Sequence, residues 1–225
     1  MKTRNTLTLL AILMMGLLAT NAWADEKKDD PERSVICLHD GMVMKAKAMK
    51  DTTTHKDHKH YICGYGTDEL ARFEKHPERY FKTVSLTENL DLFIHFQTLA
   101  EYKDVMKGMN MTGMMKGMME GIEMTKGATH FIIANLIDKK TGEVKNGKDV
   151  KVQLELTDPK GEKQTHALSH SMMMKSHIAL YALPDEGKYP IVVSVEIEGK
   201  KNEAKFGYTL VKEKKAAKKT DSKTK

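Results

Sequence analysis

Beyond residue 128 the chain alternates between apolar and polar positions in short runs separated by turn-forming residues. HFIIANLI (130–137) precedes DKKTGE, and VKVQLEL (150–156) precedes DPKG. KQTHAL (163–168), IALYAL (178–183), YPIVVSVEI (189–197) and EAKFGYTLV (203–211) follow, divided by SHSMMMKSH, PDEGK and EGKK. A period of two bounded by Gly, Pro and Asp predicts six or seven antiparallel strands, which is the pattern of a β-sandwich. Val150, Val152, Leu154 and Leu156 are expected on its inner face. So are Ile191, Val193, Val195 and Ile197, and Phe206, Tyr208 and Leu210.

Upstream the period changes. LDLFIHFQTLAEYKDVMK (90–107) places apolar residues at helical spacing and predicts a helix with His95 packed or on its surface. VMKGMNMTGMMKGMMEGIEM (105–124) follows, with Met106, Met109, Met111, Met114, Met115, Met118, Met119 and Met124. Four glycines weaken helix there. A soft-metal segment, an amphipathic cover and a plain linker all fit, because methionine is both a soft ligand and a flexible filler. Nearer the N-terminus, SVICLHDGMVMKAKAM and HYIC read as two short strands joined by the polar loop DTTTHKDHK. Thr67 then caps a short helix, DELARFEKH, that Pro77 ends.

The first residues change the compartment. Lys2 and Arg4, an apolar run from Leu7 to Leu18, and Ala22-Trp23-Ala24 before Asp25 form a secretory leader with cleavage expected after Ala24. That run is too short to span a bilayer comfortably and no later one qualifies, so a soluble, exported, periplasmic protein is expected. The full chain carries a formal +6, and loss of the leader leaves 35 basic against 31 acidic side chains. Seven lysines between Lys212 and Lys225 against Glu213 and Asp221 place the excess in a tail expected to be disordered. No aromatic interleaving or basic face suggests nucleic acid.

The organisation expected is therefore a leader (1–24), an arm (25–36), a small α+β module of hairpin plus helix (37–82) and a helical, Met-rich linker (83–127). An all-β Ig-like antiparallel sandwich (128–212) and a Lys-rich tail (213–225) complete it.

Exported cysteines in even number usually pair. A Cys37–Cys63 bridge would close a loop of about 26 residues and contribute roughly 3–4 kcal/mol. Metal ligation and free thiols stay open beside it. His39, His55, His58 and His60 lie near the two cysteines, and two thiolates with imidazole suit zinc or copper.

Cys37 with Gly41-Met42, then Tyr61-Ile62-Cys63, then Phe73-Glu74-Lys75-His76-Pro77-Glu78-Arg79-Tyr80 resemble the YHS-type (TRASH-like) metal-binding modules. The resemblance implies a metal site. The cysteine that family carries shortly after the one matching Cys63 is missing from GYGTDE, which excludes a four-thiolate zinc site. The C-terminal part resembles periplasmic Ig-like transition-metal-binding proteins through His130, Asp138-Lys139-Lys140-Thr141-Gly142, Asp158-Pro159-Lys160-Gly161, Leu183-Pro184, Gly187-Lys188-Tyr189 and Lys205-Phe206-Gly207-Tyr208. These are scaffold signatures.

The chemically informative run is His166 to His177, with His166, His170, Met172, Met173, Met174 and His177. Continued alternation would put His170, Met172 and Met174 on one face. His130 joins them only if the first strand lies beside this run. Imidazole with thioether is a copper-carrier composition, Cu(I) favoured and Zn(II) possible. No nucleophile–base–carboxylate spacing is evident, so no enzyme is expected. The reading is copper binding, delivery or detoxification, with envelope metal donors or acceptors as partners. A structural β-sandwich with a disulfide-stapled module and a zinc-binding or sensor module are the alternatives.

Overall fold

The computed structural model describes residues 30–38, 40–49, 51–55, 58–62, 80–108 and 121–211; at 51, 53–55, 58–60, 62, 104–106 and 108 only the backbone is described. The expected leader, the 67–76 helix, most of the Met-rich stretch and the tail lie outside these residues. No described helix is long and apolar enough to cross a membrane.

One eight-stranded antiparallel sheet dominates. It is built from β5 (Phe81–Ser85), β6 (Leu90–Thr98), β7 (His130–Asp138), β8 (Lys151–Thr157), β9 (Lys163–Ser171), β10 (Ser176–Tyr181), β11 (Gly187–Ile197) and β12 (Lys200–Leu210). Their order is β12-β11-β8-β9-β10-β7-β6-β5, and the two edge strands approach each other, so the sheet nearly closes into a barrel. Phe96 of β6 stacks on Tyr208 of β12 with ring centroids 3.9 Å apart, joining the two halves of the core. Val150, Val152, Leu154, Leu156, Ile191, Val193, Val195, Tyr208 and Leu210 are buried in it as expected, and Phe206 and Ile197 pack at its margin.

The expected helix over 90–107 is a correction. Leu90–Thr98 is strand, and the helix α1 (Leu99–Gly108) begins only afterwards. β6 is buried from Leu92 to Gln97 because the barrel core covers one face and the N-terminal region the other. A strand buried on both faces loses alternation, and its apolar run then imitates helical spacing. The helix start is marked by a reciprocal cap. Glu101 N donates to Thr98 Oγ1 (3.0 Å), while the Glu101 carboxylate accepts from Thr98 N (2.9 Å) and Oγ1 (2.8 Å).

The described N-terminal residues form two hairpins, and the α+β module is not supported; the expected helix lies outside the described residues. β1 (Ser34–Ile36) pairs with β2 (Val43–Lys45), and β3 (Asp51–His55) with β4 (His58–Ile62). The polar run expected as a loop is thus mostly strand. Ile36, Leu38 and Val43 pack on Phe81 and Phe93, on the outer face of the sheet. Gly41 makes this docking possible. Its φ is +70°, a Cβ there would lie 3.0 Å from Ile133 Cδ1, and its carbonyl accepts from Asn135 Nδ2 (3.3 Å) and Ser176 Oγ (3.1 Å).

Candidate metal centre

β9 and β10 pair only from Ser169 to Ser171 against Ser176 to Ile178. This places His170 directly opposite His177, on the face that lines the barrel. The two rings stand edge to face with centroids 5.2 Å apart. His177 is 1% exposed, and neither of its ring nitrogens, nor His170 Nε2, has a hydrogen-bond partner among the described residues. Leaving a buried polar atom unsatisfied costs about 1–3 kcal/mol. Burial first, and the neighbouring His170 second, push the His177 pKa down to about 4. The Leu168 carbonyl pulls the other way, although it does not meet hydrogen-bond geometry. His177 is therefore neutral near pH 7, the form in which imidazole is a ligand.

A metal about 2.1 Å from a ring nitrogen lies roughly 3.2 Å from the ring centroid, so two rings sharing it at a tetrahedral angle have centroids about 5.2 Å apart. The observed separation is compatible with a bent nitrogen–metal–nitrogen arrangement and equally with ordinary edge-to-face packing of two rings. No third His, Cys, Asp or Glu gathers with the pair among the described residues. The donor set is the imidazole nitrogens of two histidines on the barrel-lining face.

The turn between the two histidines sorts three methionines. Residues 172–175 form a turn, with Lys175 at φ 53° and its N–H donating to Ser171 O at 2.7 Å. The expected shared face of His170, Met172 and Met174 is corrected here, because alternation stops where the turn begins. Met174 turns into the outer cluster of Tyr102, Phe131, Ile133, Ile178 and Leu180 and is 1% exposed, whereas Met172 and Met173 are 64% and 41% exposed. Tyr102 in that cluster has its pKa pushed up to about 12 by burial and then by Asp40.

The other candidates are dispersed. His130 lies opposite Tyr181, four residues farther along β10 than His177, about 13 Å away. β7 does lie beside β10, but the register holds His130 at the far end, where Nδ1 is hydrogen-bonded to Thr129 Oγ1 at 2.8 Å. His166 is engaged separately. Its Nε2 is 2.6 Å from Thr125 Oγ1 and its Nδ1 is 3.2 Å from Glu123 Oε2. Cys37 is buried and disulfide-bonded, so its sulfur is not a thiolate. The chain's one other cysteine, Cys63, lies outside the described residues, as do His39, Met109, Met111, Met114, Met115, Met118 and Met119. Backbone register places His58 opposite His55 and His60 opposite Thr53. Met106 lies in α1.

Sequence reasoning missed Thr125, His166 and Glu123 as a hydroxyl–imidazole–carboxylate set, because 41 and 43 residues separate the partners. All three residues fasten the segment after the Met-rich stretch into the fork where β9 leaves β10. Leu180 N donates to Glu123 O (2.9 Å), Thr125 N to Leu180 O (3.0 Å), and Ala167 N to the Glu123 carboxylate (3.1 Å).

No family model matches the chain, and no curated protein does. The YHS-type module is not shown. Among solved structures, the chain is similar to FetP of uropathogenic Escherichia coli strain F11. A copper-bound variant of FetP has 12% identity and a TM-score of 0.41 over 59% of this chain and 92% of that one. FetP as isolated after recombinant expression in the periplasm of E. coli BL21(DE3) has 12% identity and a TM-score of 0.42, over 59% and 95%. At this distance no residue role passes from those proteins to this chain.

Proposed function

We propose that this chain is a periplasmic, non-catalytic metal-binding protein that holds copper as Cu(I) between His170 and His177, for delivery or detoxification. The observation that carries this is the cross-strand pair of half-buried His170 and buried His177, in which His170 Nε2 and both His177 ring nitrogens have no hydrogen-bond partner among the described residues. Zinc is the weaker fit, because it takes four ligands from thiolate, imidazole and carboxylate. Charge also favours the monovalent ion. The desolvation cost of an ion rises with the square of its charge, and among the described residues no carboxylate joins the pair to offset a divalent one. The partners on this reading are Cu(I) donors and acceptors of the envelope.

The test is Cu(I) competition against a chromophoric chelator, comparing wild type with His170→Leu/His177→Leu. The double variant is expected to lose more than the roughly 10–100-fold that removal of an outer-shell partner costs. Unchanged affinity in a variant with wild-type circular dichroism would leave the two histidines as packed core residues.

A further inference from the structure

We propose that Met172 and Met173 are the loading ligands of this centre, taking Cu(I) from a donor outside the protein and passing it to His170 and His177. The inference rests on the copper reading of the pair and adds the route by which the ion enters and leaves.

His177 is 1% exposed, so an external donor cannot present an ion to it directly. The turn that joins the two histidines is the covalently nearest surface. It is also fixed. Lys175 N donates to Ser171 O, Met174 N to Ser171 Oγ (3.2 Å), Asn146 Nδ2 to Lys175 O (2.8 Å), and Val43 N to Met174 O (3.0 Å). On this pinned backbone two of three consecutive methionines still point into water. Packing does not explain that, since burying either side chain would gain about 1.5–3 kcal/mol.

The choice of residue type is selective. Among the described residues, the exposed large apolar side chains are Met124, Met172, Met173 and Val211, so three of the four are thioethers. Thioether sulfur suits Cu(I) and gives little to the harder ions that dominate solution. Met172 follows His170 by two residues, at the start of the turn that joins the two histidine strands. Transfer is ligand exchange. A Cu–S bond breaks as a Cu–N bond forms, the ion stays Cu(I), and no electron or external reactant is needed.

The experiment follows loading and removal of Cu(I) by stopped flow in the full-length protein, with a chromophoric Cu(I) chelator as donor and then as acceptor. Variants are Met172→Leu/Met173→Leu, which conserves volume, Met124→Leu as an exposed-methionine control, and His170→Leu/His177→Leu. The Met172/Met173 variant is expected to slow both directions about tenfold or more, with equilibrium affinity within about twofold of wild type. Met124→Leu is expected to change neither. Unchanged rates in the Met172/Met173 variant overturn the proposal. So does a loss of equilibrium affinity there comparable to that of the histidine variant, which would make the methionines resident ligands. Unchanged affinity in the histidine variant instead overturns the copper reading itself, and the loading role with it.

Discussion

The Glu123 carboxylate reaches His166 Nδ1 at 3.2 Å and Ala167 N at 3.1 Å, tying the end of the Met-rich stretch to the strand that carries the histidine run. Thr125 completes the tie through His166 Nε2, and the backbone of 123–125 takes the place beside Leu180 that β9 gives up. The segment thus closes a fork in the barrel wall that would otherwise expose unpaired strand edges.

Removing the tie should loosen this segment first. Glu123→Gln combined with Thr125→Val is expected to cost about 1–3 kcal/mol, from two side-chain hydrogen-bond partners lost and the polar groups left facing them. Amide hydrogen exchange should accelerate at Thr125 and Leu180 while Val193 and Leu154, in the opposite wall, stay protected. Uniform acceleration across the barrel would show instead that the fork is part of the global folding unit.

How much of this was legible followed from which faces meet water. β8 and β11 keep their outer residues at least partly exposed, so alternation marked them and their inward residues correctly. β6 has two covered faces, and its run was misread as helix although Thr98 and Glu101 held the cap signature of the true start. The turn at Met172–Lys175 was hidden because its left-handed position is filled by lysine rather than glycine or asparagine. His170 and His177 were visible as ligand types, but their confrontation depends on a register that no local pattern records. The contact of His166 with Glu123 and Thr125 depends on the fork, which is a tertiary feature.

Gly41 should be sensitive for two separable reasons. Its φ of +70° disfavours any side chain, at about 1–2 kcal/mol, and its Cβ would meet Ile133 at 3.0 Å from Cδ1 and 3.2 Å from Cγ2. Gly199, at φ +75°, has nothing within 4 Å of its Cβ position. Urea unfolding of Gly199→Ala therefore reports the backbone cost alone. Gly41→Ala is expected to cost about 1–3 kcal/mol more, the range for overpacking a filled site. Equal losses in the two variants would mean that Ile133 yields freely.

The depressed pKa of His177 predicts acid lability of the metal-free protein, and its sign is fixed by linkage. Unfolded, the imidazole takes up a proton near its ordinary value of 6.5; folded, it resists protonation down to about 4 because burial and His170 penalise the charge. Between those values the unfolded chain binds the extra proton, so stability falls as pH falls. The contribution is fully present above pH 6.5 and is lost progressively toward pH 4, on the order of 3 kcal/mol in all. Carboxylates titrate at the lower end of the same window, so the quantity to measure is a difference. Urea unfolding of wild type and His177→Leu, both stripped of metal by a chelator, at intervals from pH 7.5 to pH 4 gives it. The wild-type curve is expected to lose stability more steeply than the variant between pH 6.5 and 4 and to run parallel to it above. Parallel curves throughout would mean that His177 titrates alike in the folded and unfolded chain, which its burial in the barrel would then fail to explain.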